Sequence, residues 1–317
     1  MGGKNATEVR KANAAAIAHA AALLREGELV ALPTETVYGL AARADSDDAV
    51  AGIYRAKGRP SFNPLIVHVA NLEQAKWLAQ FSEDAQAAAD AAWPGALTLV
   101  LPLRKDAGIA KAVTAGLDTI ALRCPAHPVI RAVLEQCGLP LAAPSANRSN
   151  ALSPTSVAHV LGSLGGRIAL VLDGGESAQG IESSILAIRG NGEWQELRPG
   201  PVDIATLHRQ VLGKEWEPPE RSVTIEAPGQ MERHYSPGKP LRLGAIRAEQ
   251  DEFHIGFADI RGDVTLSAAA DLAEAASRLY SALHAAAASA RPRIAVAPIP
   301  RGGIGTAIND RLRRAAR

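Results

Sequence analysis

Short apolar runs alternate with longer amphipathic stretches along most of the chain. Runs of four or five mostly apolar residues are typical of buried strands, and they occur at residues 29–32, 65–69, 97–101, 119–122, 139–143 and 168–172. The stretches around and between them predict helices at residues 8–26, 45–57, 72–79, 82–93, 128–136, 155–161 and 204–212. Segments 183–188 and 194–197 flank a Gly-Asn-Gly turn and predict a β-hairpin. This alternation predicts an α/β domain built on a mixed sheet.

The pattern changes after residue 212. Residues 213–240 are rich in proline, glycine, glutamate and arginine and show little periodicity, which predicts a linker. Beyond the linker, the predicted strands are 241–244, 254–258 and 294–297, and the predicted helices are 268–288 and 305–314. We therefore expect a first domain at 1–212, a linker or lid at 213–240, and a small Rossmann-like α/β domain at 241–317.

Composition and charge limit the classes of function. The 317 residues are 47% hydrophobic and 21% charged, which is ordinary for a globular protein. A net charge of +1 creates no overall attraction to nucleic acid or membranes, so an anionic ligand must be held locally. The sequence shows no signal peptide and no run of about 18–20 apolar residues, so no membrane partner is expected. Cys124 and Cys137 lack disulfide or metal-finger spacing, which favours a reducing, cytoplasmic location.

Three polar segments adjoin predicted strands. They are 33–40 (PTETVYGL), 57–64 (KGRPSFNP) and 142–155, which is rich in serine and asparagine. In open α/β sheets, ligands gather beyond the carboxyl ends of strands. Lys57 and Arg59 can both face one polyanion, because arginine binds phosphate through a bidentate fork and lysine acts as a point charge. Each segment also has a plain interpretation as a turn, a helix end with its usual cations, or a capped loop.

Other candidate residues carry weaker signals. Arg123 follows the predicted strand at 119–122, and His68 lies within an apolar strand, where a histidine is more often a core residue than a catalyst. Glu182 is interpreted as a surface or turn group, and Arg311 as part of a solvated basic helix end. The sequence contains no Walker A, nucleophile-elbow or H-E-x-x-H motif, so an ATP site would have to be of another kind.

Taken together, six motifs in order resemble the YrdC-like family. They are PTETVYGL, KGRPSFNPLIVHV, WPGALTLV, ALRCP, APSANRS, and the stretch from Ser183-Ser184 to Arg198-Pro199-Gly200. The sequence HYSPG at 234–238, followed by a small α/β domain, is similar to the long two-domain form of that family. The resemblance covers nearly the whole chain.

The resemblance implies a twisted mixed sheet with helices around a concave, positively lined cavity. The first domain would be the catalytic one, and the enzyme would be a nucleotidyltransferase. It would convert L-threonine, bicarbonate and ATP, with Mg²⁺ accompanying the ATP, into threonylcarbamoyl-AMP and pyrophosphate. The product would supply threonylcarbamoyl-adenosine modification of tRNA, with the threonylcarbamoyl-transfer machinery downstream and tRNA as a further candidate partner.

The resemblance also assigns roles to individual residues, although it provides no protein ligand for the metal. The predicted threonine-binding residues are Thr36, His68, Arg123, Ala143 and Ser183. The predicted ATP-binding residues are Lys57, Arg59, Asn63, Thr119, Ser145, Asn147, Ser153, Arg198, His234 and Tyr235, of which Lys57 and Arg59 are also the predicted catalytic residues. The family commonly has Ser-Thr where this chain has Ser183-Ser184, and which of the two serines binds threonine stays open.

Two other functions are compatible with parts of the pattern. A carbamoyl-adenylating relative would share the fold, but such proteins carry acylphosphatase and zinc-finger regions that this chain does not show. A double-stranded RNA or tRNA-binding module would use the positive cavity lining, and it would bind RNA in a salt-dependent way without releasing pyrophosphate.

Overall fold

A ten-stranded mixed sheet forms the framework of the N-terminal part of the computed structural model, which describes residues 6–219, 226–227 and 234–317. Its strands are β1 (Glu8–Lys11), β2 (Val30–Leu32), β3 (Gly39–Arg43), β4 (Ile66–His68), β5 (Leu97–Pro102), β6 (Thr119–Arg123), β7 (Leu141–Ala142), β8 (Leu170–Asp173), β9 (Ser184–Ile188) and β10 (Trp194–Arg198). Their spatial order is β1-β8-β2-β3-β7-β4-β6-β5-β9-β10. Parallel pairs such as β4–β6 and antiparallel pairs such as β9–β10 occur together, so the prediction of a mixed sheet is confirmed.

Helices pack on this sheet through small and aliphatic side chains. They are α1 (Ala14–Arg25), α2 (Asp47–Lys57), α3 (Leu72–Leu78), α4 (Glu83–Ala92), α5 (Lys111–Thr114), α6 (Pro128–Cys137), α7 (Val157–Leu164) and α8 (Ile204–Leu212). Helix α2 shows why local sequence sets the boundaries: the Ser46 side chain accepts a hydrogen bond from the Ala49 amide at its start. Gly58 ends α2 in the left-handed region, at φ 60°. The turn that follows carries Arg59.

A second, smaller sheet forms the C-terminal domain. Its strands are β11 (Leu241–Leu243), β12 (Glu252–Gly256), β13 (Val264–Thr265) and β14 (Arg293–Val296), in the order β11-β14-β12-β13. All of its neighbouring strands are parallel. Helices α9 (Leu272–Ala288) and α10 (Gly305–Ala315) complete the domain. The prediction of a small Rossmann-like α/β domain is therefore confirmed.

The predicted helix at residues 8–26 was wrong at its start. Residues Glu8–Lys11 form an edge strand that pairs in parallel with β8. The helix begins only at Ala14, because the Asn13 side chain accepts a hydrogen bond from the Ala16 amide and caps it. Strand β3, β13 and the short α5 were not predicted from the pattern.

The two domains share part of one hydrophobic core. Val37, Leu152 and Ile181 from the N-terminal domain pack in the same cluster as the buried side chains of α9 and α10. Tyr235, from the predicted linker, belongs to this cluster as well. The predicted linker extends beyond the described residues at 220–225 and 228–233. Among the described helices, none is both long and apolar enough to cross a membrane.

Candidate active site

A cleft is lined by residues from β4, β6 and β10 and from the segments that follow β2 and β7. Its lining combines apolar, hydroxyl and charged side chains: Thr34, Thr36, Val37, Gly39, Arg59, Ile66, His68, Arg123, Ala143, Pro144, Ser145, Glu182, Ser183, Arg198, His234 and Tyr235. Three of these are arginines and one is a carboxylate. This chemistry suits anionic ligands, because guanidinium groups in a partly buried cleft bind carboxylates and phosphates strongly.

Arg123 forms one corner of the cleft. The guanidinium is only 4% exposed and donates hydrogen bonds to Glu35 Oε1 (2.5 Å), Thr36 Oγ1 (2.8 Å) and the Gly95 carbonyl (3.1 Å). The second Glu35 oxygen accepts hydrogen bonds from the backbone amides of Ala126 and His127. Burial raises the Glu35 pKa, but the charge and hydrogen bond of Arg123 outweigh it, so the pKa lies below its ordinary value. Arg123 is therefore fixed in orientation at the cleft wall.

Glu35 is not among the residues predicted from the motifs, although it orients one of them. The usable signal in the sequence was a single carboxylate between two threonines directly after a buried strand. The Thr34 hydroxyl accepts hydrogen bonds from the Thr36 and Val37 amides, which holds this loop in a tight turn. That turn places both Glu35 and Thr36 within hydrogen-bond distance of Arg123.

His68 lies at the end of β4, beside this corner. The side chain is 3% exposed, and its Nδ1 has no hydrogen-bond partner within the described residues. Burial and the nearby charge of Arg123 lower the His68 pKa to about 3. A neutral imidazole with an unused ring nitrogen is therefore available to a ligand in the cleft.

We expect the His68 imidazole to stay neutral at pH values well below the ordinary histidine pKa. The unfolded chain takes up a proton as the pH falls through about 6.5, whereas folded His68 does so only near a pKa of about 3. Its contribution to stability is thus complete above pH 6.5 and is lost progressively as the pH falls toward 3. Imidazole ¹⁵N NMR, assigned with His68→Gln, should show neutral His68 at about pH 5. An imidazolium signal at about pH 6 would contradict this assignment.

Ser183 and Ser184 point to different surroundings. Ser183 lines the cleft, where its hydroxyl is 2.8 Å from Thr98 Oγ1 and accepts a hydrogen bond from Arg198 Nη2 at 3.1 Å. The Ser184 hydroxyl instead donates to the Val202 carbonyl and accepts from the Val202 amide. Of the two serines left open by the sequence, Ser183 is the one that lines the cleft.

Arg59 lies on the cleft wall, whereas Lys57 lies behind it. Arg59 donates to the Asn63 and Pro64 carbonyls, and burial lowers its pKa to about 10. The Lys57 ammonium donates to the Ser145 and Asn147 carbonyls, each at 2.5 Å. Burial, with the nearby charge of Arg59, places the Lys57 pKa well below its ordinary value. In this arrangement Lys57 fixes the loop that carries Ser145.

Several other predicted residues also support the wall rather than form it. Asn147 donates to the Ala151 carbonyl, and Ser153 donates to Glu182 Oε1 at 2.5 Å. Thr119 begins β6, four residues before Arg123, so it lies about 13 Å away along the strand. Asn63, Asn147 and Ser153 are buried next to the cleft loops. Direct contact of these four residues with ATP stays a prediction.

Residues His234 and Tyr235 close the cleft from the linker side. The centres of their rings lie 4.0 Å apart, in an edge-to-face arrangement. Burial is the main cause that lowers the His234 pKa to about 3, with the charges of Arg59, Lys57 and Arg198 adding to it. Tyr235 is 1% exposed and has a left-handed backbone at φ 64°. A bulky residue keeps that conformation only where its surroundings determine it.

The structure corrects the predictions for Glu182 and Arg311. Glu182 is not a surface group: it lines the cleft, and its carboxylate accepts hydrogen bonds from Ser153, Tyr280 and Arg311. Arg311 is not a solvated helix end, because it is fully buried. Burial raises the Glu182 pKa, but the charges of Arg311 and Arg198 prevail and lower it to about 2. The ion pair joins the two domains at the cleft.

Known proteins resemble this chain over nearly its whole length. The Sua5, YciO and YrdC family model, described as telomere recombination, matches residues 22–200, and a model of the threonylcarbamoyl-AMP synthase C-terminal domain matches residues 202–317. A threonylcarbamoyl-AMP synthase from Bacillus subtilis is 39% identical over 98% of this chain and 95% of its own length. Another from Pyrococcus abyssi is 37% identical over 94% of this chain and 93% of its own length.

A solved structure agrees with the sequence comparisons. The crystal structure of P. abyssi Sua5 complexed with L-threonine matches with a TM-score of 0.86 at 34% identity, covering 98% of this chain and 96% of that one. Both domains and their arrangement are therefore shared. The chain belongs to the Sua5, YciO and YrdC family, in the long form that carries the threonylcarbamoyl-AMP synthase C-terminal domain.

Proposed function

We propose that this protein condenses L-threonine, bicarbonate and ATP into threonylcarbamoyl-AMP, with release of pyrophosphate and water. The observation that carries the proposal is the Arg123 corner, in which Glu35 and Thr36 fix a buried guanidinium on the wall of a cleft lined by further arginines. The relatives named threonylcarbamoyl-AMP synthase and the P. abyssi structure with L-threonine support the same reaction. The reaction class is nucleotidyl transfer.

On the threonine side, Arg123 binds the substrate carboxylate, since a guanidinium and a carboxylate form strong, directional hydrogen bonds. Thr36, Ser183 and neutral His68 provide hydrogen-bonding groups around it, and Ala143 contributes an apolar surface. The threonine amine attacks the carbon of bicarbonate, water leaves, and a carbamate forms. No side chain has to act as a nucleophile, so catalysis rests on positioning.

On the nucleotide side, the carbamate oxygen attacks the α-phosphorus of ATP and pyrophosphate leaves. Arg59 and Arg198 line this part of the cleft and stabilise the charge of the polyphosphate. His234 and Tyr235 cover the cleft and exclude water, which protects both the carbamate and the mixed anhydride from hydrolysis. Ser145, held in place through Lys57, adds a hydroxyl to the same wall.

We propose that Mg²⁺ enters as part of the MgATP substrate. Within the described residues, no group of three or more histidine, cysteine, aspartate or glutamate side chains could hold a metal. The Glu182 oxygens at the cleft are already engaged by Ser153, Tyr280 and Arg311. ATP phosphates are ordinary ligands of Mg²⁺, and we assign it no protein ligand.

The product would pass to the machinery that transfers threonylcarbamoyl groups to tRNA, and tRNA itself is a further proposed partner. The free thiols of Cys124 and Cys137 are buried, which is compatible with a reducing compartment. We therefore propose that the protein acts in the cytoplasm.

Incubation of the purified protein with MgATP, bicarbonate and labelled L-threonine tests the function. Pyrophosphate and a labelled adenylate should appear together, and omission of threonine, bicarbonate or magnesium should stop both. Pyrophosphate that depends on a carbamoyl donor instead of threonine would favour the carbamoyl-adenylating relative. Salt-dependent RNA binding without any pyrophosphate would favour an RNA-binding module.

A further inference from the structure

We propose that Arg311, on helix α10, is a positioning residue for the nucleotide side of the cleft, through which the C-terminal domain completes the catalytic site. The inference rests on the proposed function. It assigns a role to a domain whose sequence carries no recognised catalytic motif. Three sets of contacts, all to residues outside the C-terminal domain or to the cleft wall, support it.

The first set holds the backbone next to Arg198. The guanidinium of Arg311 is completely buried, and its Nη1 donates to the Pro199 carbonyl at 2.8 Å. Pro199 follows Arg198, whose own guanidinium lines the cleft and donates to the carbonyl and hydroxyl of Ser183. The position of Arg311 therefore constrains where the Arg198 segment lies.

The second set holds Tyr235. The Cζ of Arg311 lies 5.6 Å from the centre of the Tyr235 ring, and the Tyr280 ring lies 5.7 Å away on α9. These contacts come from the C-terminal domain. On the other side, the amide of the next residue, Ser236, donates a hydrogen bond to the Asn150 carbonyl of the N-terminal domain. The left-handed backbone of Tyr235 is thus fixed from both sides, and the adjacent His234 is presented to the cleft.

The third set fixes Glu182. Arg311 Nε donates to Glu182 Oε2 at 2.9 Å, while the Tyr280 hydroxyl lies 3.0 Å from Oε1 and Ser153 donates to Oε1. These donors come from both domains, so Glu182 connects α9 and α10 to the cleft wall. Removing Arg311 leaves Glu182 buried with its main opposite charge gone.

The Arg123 corner of the threonine side does not depend on these contacts. The side-chain hydrogen bonds of Arg123 go to Glu35, Thr36 and Gly95, all in the N-terminal domain. We therefore expect Arg311→Met to raise the KM for ATP about 10- to 100-fold, the effect of losing one hydrogen bond between Arg198 and the polyphosphate. The KM for threonine should rise much less, because Arg123 stays in place. Arg311→Lys, which keeps the charge but not the fork, should be intermediate.

The experiment measures KM for ATP and for threonine by pyrophosphate release, and the affinity for a non-hydrolysable ATP analogue by calorimetry. Arg313→Met is the matched control, because Arg313 lies two residues along α10 with a side chain that is 60% exposed. It should behave like the unmodified protein. A rise in both KM values by the same factor, or no change in either, would overturn the proposal.

Loss of folding is separated from loss of positioning by a double variant. Glu182→Gln with Arg311→Met removes both buried charges, so its melting temperature should recover relative to Arg311→Met alone. Its weak ATP affinity should persist, because the contacts to Pro199 and Tyr235 are still missing. Recovery of ATP affinity together with stability would show a purely structural role. If the unmodified protein released no pyrophosphate, the proposed function would fail, while analogue binding would still test Arg311.

Discussion

Replacing Arg123 with methionine should sharply reduce threonine-dependent pyrophosphate release at threonine concentrations near the KM of the unmodified protein. A hydrogen bond to a charged group contributes about 1.5–3 kcal/mol, so loss of the carboxylate partner should raise the KM for threonine about 10- to 100-fold. The change also leaves the Glu35 carboxylate buried without its cation, which costs about 3–5 kcal/mol of stability. Steady-state kinetics at varied threonine and thermal unfolding measure the two effects separately.

The double variant Glu35→Gln with Arg123→Met is the control for the Arg123 prediction. It removes the unpaired carboxylate, so stability should return toward that of the unmodified protein, while the KM for threonine stays high. Arg131→Met, on the half-exposed face of α6, should change neither quantity. Recovery of the threonine KM in the double variant would show that Arg123 does not bind the substrate carboxylate.

Adding a single methyl group at Gly200 should damage both stability and activity. A Cβ at this position would lie 2.3 Å from the Ser184 amide nitrogen and 2.7 Å from the Ser183 carbonyl carbon. Both neighbours are backbone atoms and cannot rotate away, so the Arg198–Gly200 segment would have to move. Gly200→Ala should therefore lower stability by about 3 kcal/mol and displace Arg198 from the cleft, reducing activity. Thermal unfolding and pyrophosphate release measure the effect.

Gly190→Ala is the matched control for Gly200→Ala. Gly190 lies in the turn between β9 and β10, and a Cβ there would meet no atom within 4 Å. Its stability should change by less than about 0.5 kcal/mol, as for an ordinary surface substitution. Equal effects of the two substitutions would mean that the close approach of Gly200 to Ser183 and Ser184 is not what holds this part of the site.

Local chemistry explains which elements were predictable. Helix α2 has its serine cap and its terminal glycine in the sequence, and the β9–β10 hairpin has its Gly-Asn-Gly turn, so both were predicted closely. Strand β1 was missed because its charged sequence EVRK becomes a strand only by pairing with β8, about 160 residues away in the chain. Its side chains are mostly exposed, so no buried face marks it.

The candidate site was predictable to a similar extent. The sequence shows the motifs around PTET, KGRP, SANR and the Ser183-Ser184 pair, and the structure brings residues from each of them to one cleft. The motifs did not reveal which side chains face that cleft. Lys57 and Arg59 lie two residues apart in one motif, yet only Arg59 lies on the wall, because Lys57 turns toward the carbonyls of Ser145 and Asn147.

The sequence by itself determined the α/β class, the presence of two domains, the family, and the loops from which the site is built. Only the tertiary structure decided that Glu35 orients Arg123, that Ser183 rather than Ser184 faces the cleft, and that Arg311 is buried against Glu182. The reason is distance along the chain: Arg123 and Glu35 are 88 residues apart, and Arg311 and Glu182 are 129 apart. Local patterns report caps, turns and hydrophobic faces, whereas the pairing of buried charges depends on which segments the fold places side by side.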